Sequence, residues 1–215
     1  MPEANKKFDF LVEHWYFKYP EFWELFDGLE KDAKIIDVGC GKAAVVNKLL
    51  EKGFKNITLL DIEDRRIFEE TKKSPFYRVN LNCDRFPFDD NSVDCVVATE
   101  IIEHLENPWF FVREISRVLK PKRKLILSMP NSWNIVSRLL FLKRGILECY
   151  GLNLPHHLWA PNKELFKMAL KNFRLIKKFY NQRERLYFLG LCFKVKCPRT
   201  EFWGPHVCNF FEKPM

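Results

Sequence analysis

Two short apolar runs, each closing on an acid, constrain this chain more than any other feature. The first is Lys34-Ile35-Ile36-Asp37-Val38, followed directly by the turn Gly39-Cys40-Gly41. The second, Ile57-Thr58-Leu59-Leu60-Asp61, comes about twenty residues later. Unbroken apolar runs of this length next to glycine are the pattern of strands buried on both faces of a parallel sheet. A helix beginning near Ala43 supplies the crossover between them. Glycine is needed at the turn because only glycine lets the backbone bend there and come close to a ligand. The acid closing the second run then lies beside the same ligand, where a carboxylate can accept hydrogen bonds from both hydroxyls of a ribose. The pair predicts a nucleoside site, against the plainer reading of a strand-turn-helix corner with chance acids.

Gly39-Cys40-Gly41-Lys42-Ala43-Ala44 also fits the loose G-x-G-x-x-A pattern of dinucleotide sites. Asp37 argues against that use. A pyrophosphate on a helix N-terminus wants amide donors and positive potential, and a carboxylate two residues before the first glycine repels it. The same carboxylate is favourable beside a sulfonium and an α-amino group. S-adenosylmethionine carries both, so it is the expected cofactor.

The 215 residues suit one domain with a full core, and 47% hydrophobic with 30% charged content is that of a soluble globular chain. No apolar run approaches a membrane span. Met1-Pro2-Glu3-Ala4-Asn5-Lys6-Lys7 lacks the apolar segment of a signal peptide, which makes the cytoplasm the default expectation. Seven scattered cysteines without a C-x-x-C pair argue against structural zinc or a disulfide framework. Cys40 reads as a small residue tolerated between glycines, not as a nucleophile. The net charge of +8 suits nucleic acid, anionic lipid or a phosphorylated substrate, and equally suits solvated helix faces. The 21 phenylalanines and six tryptophans suggest an aromatic acceptor pocket or an apolar face.

The whole chain reads as a single domain in four stretches. Residues 1–30 form an aromatic helical lid, or a segment packed on the sheet edge. Phe8, Phe10, Trp15, Tyr16, Phe17, Tyr19, Phe22, Trp23 and Phe26 crowd this stretch, and Pro20 splits it into two short helical pieces. Residues 31–131 form the cofactor-binding core, with strands at 34–38, 57–61, 76–79, 94–99 and 123–129. Its helices fall at 43–52, 64–72 and 108–119, the last opened by Pro108 and stopped by Leu119-Lys120-Pro121. Residues 132–170 make a cap and acceptor-side insertion, with helices at 135–142 and 162–171. Residues 171–215 add strands at 174–180 and 206–212, and 181–203 leave room for an extra hairpin.

Four blocks in order resemble the class I S-adenosylmethionine-dependent methyltransferases, above all the small-molecule branch of ubiquinone-biosynthesis-type O-methyltransferases. They are Ile35-Ile36-Asp37-Val38-Gly39-Cys40-Gly41, Leu59-Leu60-Asp61-Ile62, the run from Phe86 to Pro108 that contains Val96-Val97-Ala98-Thr99-Glu100-Ile101-Ile102-Glu103-His104, and Glu114 to Pro121 leading to Leu125–Asn131. The resemblance covers residues 34–131, and more weakly to about 180. It implies a three-layer, doubly wound, Rossmann-like α/β fold. Its seven-stranded sheet is mostly parallel, with the last strand antiparallel and the cofactor across the carboxyl ends of the first strands. Three departures stand out. Ala43 and Lys122-Arg123 replace common glycines, and Asn80 and Asn82 stand where an aspartate often holds the adenine amino group.

The expected cofactor residues are Asp37, Gly39, Cys40, Gly41, Asp61, Ile62, Asn80, Leu81, Asn82, Thr99 and Glu100. Asp37 orients water or the methionine amino group, Asp61 takes the ribose hydroxyls, and Ile62 and Leu81 lie against the adenine faces. Transfer to a hydroxyl needs a base near the fourth strand. Glu100, His104 and His157 are the candidates put forward, with Glu103 and His156 beside them. Glu100 has a competing reading as a helix cap, and His104 shares its face if this piece is helical. The expected acceptor is a small or lipid-like molecule with an apolar part, methylated on oxygen rather than nitrogen or carbon. Leu139-Leu140-Phe141-Leu142-Lys143-Arg144 is compatible with peripheral membrane contact, or with plain packing of an amphipathic helix on the core. Nucleic acid is not the expected partner and no metal is expected. Glu100, Glu103, His104 and one of His156-His157 nevertheless match, in residue type, the ligand set of metal-dependent RNA 2′-O-methyltransferases. A cofactor-binding protein without catalysis is the remaining alternative.

Overall fold

The computed structural model describes residues 15–147, 158, 163–188 and 191–215. Strands β1 (Ile35–Val38) and β2 (Ile57–Asp61) lie parallel, with Ile35 opposite Ile57 and Asp37 opposite Leu59. Every residue of both is buried, the polar Asp37, Thr58 and Asp61 included. The sheet is completed by β3 (Phe76–Arg78), β4 (Val93–Thr99), β5 (Leu119–Pro130), β6 (Arg174–Tyr180) and, beyond a separate hairpin of β7 (Arg185–Phe188) and β8 (Leu191–Lys194), by β9 (His206–Glu212). Its order is β3-β2-β1-β4-β5-β9-β6, with β9 antiparallel to both neighbours and the other pairings parallel. This is the expected seven-stranded topology. The order reverses between β1 and β4, which opens a crevice at the carboxyl ends of those strands.

Helices cover both faces. They are α1 (Pro20–Glu24), α2 (Ala44–Glu51), α3 (Glu69–Lys72), α4 (Pro108–Val118), α5 (Ile135–Arg144) and α6 (Lys163–Ala169). On one face Phe111, Val112, Ile115 and Val118 of α4 pack with Phe166 of α6 against Ile36, Val96 and Leu125. Each such burial is worth about 1.5–3 kcal/mol. On the other face Val46 and Leu49 of α2 join Phe22, Leu25 and Phe26 over Ile35, Ile57, Val97 and Ile126. Residues 15–29 therefore lie on a face of the sheet, in two short helical pieces around Pro20. Phe8 and Phe10 lie outside the described residues. Helix α4 starts where Asn107 accepts the Phe110 N–H at 3.1 Å and Pro108 fills the first turn.

Three elements depart from expectation. The helix anticipated over 64–72 shrinks to α3, because Asp64 and Arg66 bond locally instead. Asp64 accepts from the Arg66 backbone and side chain, and the Arg66 guanidinium donates to the carbonyls of Thr71 and Ser74. Strand β5 starts at Leu119, not 123. Leu119 pairs with Val93 before the register shifts, and Lys122 takes a left-handed φ of +59° in place of a glycine. Helix α5 does not pack on the core. Among its residues only Ser137 is buried, and Leu139, Phe141 and Leu142 are 57%, 56% and 83% exposed. Their near-consecutive positions encircle the helix and leave no single apolar stripe.

Candidate active site

A cavity of about 590 Å³ opens at the carboxyl ends of β1, β2 and β4. Asp37, Gly39, Cys40 and Gly41 line it from β1 and its turn, and Asp61 and Ile62 from β2. Asn80, Leu81 and Asn82 follow β3, Thr99 ends β4, and Glu100 and His104 follow it. All the expected cofactor residues thus meet around one space. His157 and its neighbour His156 lie outside the described residues.

The turn is built by its glycines. Gly39 has φ +75°, and a Cβ there would sit 2.4 Å from Cγ1 of Ile101, so neither the conformation nor the space admits a side chain. Gly41, at φ +50°, donates its N–H to Oδ2 of Asp61 at 2.8 Å. The Ile62 N–H reaches Oδ1 of the same carboxylate at 2.7 Å. Asp61 is thereby fixed by two backbone N–H groups, one on each oxygen, with Nη2 of Arg65 3.8 Å from Oδ1. Ala43 adopts φ +62°, the conformation that explains why glycine is common at this position, and it carries the strain of a Cβ there.

Asp37 is buried, and its Oδ1 has no hydrogen-bond partner among the described residues. Burial first, and the charge of Asp61 second, push its carboxyl up to about 7. A buried acid with an unpaired oxygen suits a ligand group that brings both N–H donors and positive charge. The α-amino and sulfonium groups of S-adenosylmethionine do this, and the held carboxylate of Asp61 suits a ribose diol. The residues present fit that cofactor. Burial also raises the Cys40 thiol far above its ordinary range, with the Asp37 charge adding to it, so it is not a nucleophile. Asn80 and Asn82 each already accept one backbone N–H, from Asn82 and Asn107 respectively, leaving one carbonyl lone pair apiece.

After β4 the chain does not continue as a regular helix. Glu100 has a left-handed φ of +51°, and a 3₁₀ turn spans Ile102–His104 without a side-chain cap. Glu100 is therefore no helix cap. Its Oε1 accepts from Ser128 Oγ at 2.7 Å and from Trp15 Nε1 at 3.1 Å. Glu103 is not among the cavity-lining residues and is buried, with Oε1 3.9 Å from Nε2 of His104, and burial with the Glu100 charge holds its carboxyl well above the usual range. Among the described residues no three His, Cys, Asp or Glu side chains gather as a metal site.

Sequence reasoning did not single out Tyr16, Lys42, Arg65, Ile101 or Leu105, which also line the cavity. Tyr16 is buried, and its side chain hydrogen-bonds Thr99. The aromatic density of the N-terminal stretch was the signal for it. That signal pointed to the segment without choosing the residue.

Residues 36–127 match the family described as a methyltransferase domain. An uncharacterized protein of Methanocaldococcus jannaschii is 33% identical over 82% of this chain and 70% of its own length. The ubiquinone biosynthesis O-methyltransferase of Rickettsia bellii is 30% identical over 46% of this chain, and the match spans 43% of that enzyme. Among solved structures, a Haloferax volcanii methyltransferase in complex with the Trm112 methyltransferase activator superposes with a TM-score of 0.67. That alignment covers 100% of this chain and 96% of that one at 15% identity, a likeness of fold. The chain belongs to the class I S-adenosylmethionine-dependent methyltransferases. It is an enzyme, and S-adenosylmethionine is its cofactor. No helix among the described residues is long and apolar enough to cross a membrane.

Proposed function

We propose that this methyltransferase acts on a hydroxyl oxygen of a small acceptor that carries an apolar part. The observation that carries the reading is the carboxylate of Glu100. It lines the cavity with Oε1 held by Ser128 and Trp15, and its Oε2 accepts no hydrogen bond among the described residues. Bound S-adenosylmethionine supplies a methyl carbon already activated by its sulfonium. Asp37 faces the amino-acid tail, Asp61 holds the ribose, Ile62 and Leu81 flank the adenine, and Asn80 or Asn82 meets its amino group. Glu100 Oε2 would take the proton of the acceptor's hydroxyl as that oxygen receives the methyl group the cofactor would supply, with S-adenosylhomocysteine as the leaving product. Alignment of this kind contributes up to about 7–11 kcal/mol. His104 is the second candidate for the base.

The apolar part is supported by Ile101 and Leu105 in the cavity wall and by the exposed Leu139, Phe141 and Leu142 of α5. The similarity to an O-methyltransferase favours oxygen. S-adenosylhomocysteine release over a panel of alkyl-tailed catechols, matched anilines and a short RNA, with and without manganese, tests this. Turnover of the catechols that survives a chelator is expected. Turnover of the RNA alone, dependent on manganese, overturns it.

A further inference from the structure

Behind Glu100 stands a histidine that the cavity lining does not include. His206 opens β9 opposite Pro130, two residues from the Ser128 that bonds Glu100. Three hydrogen bonds clamp it to Asn181 at the end of β6. The Asn181 N–H donates to the His206 carbonyl at 3.2 Å, the His206 N–H donates to Asn181 Oδ1 at 2.8 Å, and Asn181 Nδ2 lies 3.0 Å from His206 Nδ1.

This arrangement decides the tautomer. A backbone N–H only donates, so the atom it meets is the amide oxygen of Asn181, and the amide nitrogen must be the one facing the ring. An amide nitrogen only donates, so Nδ1 of His206 accepts and carries no proton. The proton of the neutral ring is then on Nε2. That nitrogen lies 3.8 Å from Oε2 of Glu100, the oxygen left open by Ser128 and Trp15. The indole of Trp15 stacks on the imidazole at 5.6 Å and 19°, so the residue that holds Oε1 also steadies the ring facing Oε2.

We propose that His206 is a positioning residue for methyl transfer: locked by Asn181, it presents an N–H to the open oxygen of Glu100 and holds that carboxylate in its cavity-facing arrangement. The 3.8 Å separation exceeds a direct hydrogen bond and is closed by a small side-chain rotation or one bridging water. Donation to Oε2 leaves that oxygen a further lone pair for the acceptor's proton. The proposal rests on the reading of Glu100 as the base.

The test uses the whole protein with an alkyl-tailed catechol. His206→Phe keeps a ring against Trp15 and removes the N–H, whereas His206→Gln restores a donor. Glu100→Gln is expected to lower kcat about 100-fold, in the range for loss of a general base. His206→Phe is expected to lower kcat about tenfold with KM for S-adenosylmethionine within about twofold, and His206→Gln to recover most of that loss. Full activity of Glu100→Gln removes the reading of Glu100. Loss in Glu100→Gln with full activity of His206→Phe overturns the proposal alone. Independently of any acceptor, ¹⁵N spectra of the histidine rings, with His206 assigned by difference from His206→Phe, should show the Nε2–H tautomer at neutral pH. The Nδ1–H tautomer there overturns it.

Discussion

Asp37 and Asp61 line one cavity from adjacent parallel strands, and the charge of Asp61 is one of the two reasons why the Asp37 carboxyl is pushed up to about 7. The two acids differ in how they are held. Asp61 takes N–H bonds from Gly41 and Ile62, whereas Asp37 keeps an oxygen unpaired in a buried setting.

The first consequence concerns binding. Below about pH 7 Asp37 is protonated in the cofactor-free protein and offers no charge to a cationic ligand. Calorimetric affinity for S-adenosylmethionine should therefore rise as pH passes upward through about 7. S-adenosylhomocysteine, which lacks the sulfonium charge, should follow a shallower curve. Asp37→Asn should flatten both, and a native profile without slope near that pH refutes this role.

The second concerns stability. The unfolded acid titrates at about 4, whereas the folded one is pushed up to about 7. Between these values the folded state binds more protons, so stability is present below the window and is lost as pH rises through it. In the cofactor-free protein Asp37→Asn should raise stability at pH 8 by a few kcal/mol, seen as a Tm several degrees higher, and have little effect at pH 4. An equal change at both pH values excludes the mechanism.

Two neighbouring backbone positions should respond in opposite directions. Gly39→Ala places a methyl group against Ile101 at a positive φ and should destabilise by about 2–3 kcal/mol. Adding Ile101→Ala should not restore it fully, because the strain of the φ remains. Ala43→Gly relieves a left-handed alanine and should stabilise by up to about 1 kcal/mol, after the entropy of glycine is deducted. Urea unfolding measures both, and a destabilised Ala43→Gly contradicts the strain.

Asp61→Ala should reduce S-adenosylhomocysteine affinity by about 100-fold or more while the fold persists. It removes the acceptor for two ribose hydroxyls and frees the Gly41 and Ile62 N–H groups that organise the turn. Unchanged affinity in calorimetry refutes the assignment.

Much of this was legible in the residues themselves, because the cavity sits where short apolar runs end. Asp37, Asp61 and the glycine pair are local signals, and β2, β6 and β9 have the bounds their sequence patterns predict. What escaped depends on distant chain. Trp15 reaches Glu100 across 85 positions, and Ser128 and His206 arrive from β5 and β9. No spacing rule encodes such meetings, which are fixed only when the N-terminal segment and the antiparallel strand settle on the sheet. The stretch 64–72 failed for a local reason. Asp64 and Arg66 satisfy the backbone by side-chain bonds that helix periodicity does not weigh.

A crystal structure with S-adenosylhomocysteine measures the bracketing of the nucleoside by these two acids most directly. The carboxylate of Asp61 should lie within hydrogen-bond distance of both ribose hydroxyls, and Asp37 should face the amino-acid tail. A nucleoside seated elsewhere, or a sugar out of reach of Asp61, would contradict it.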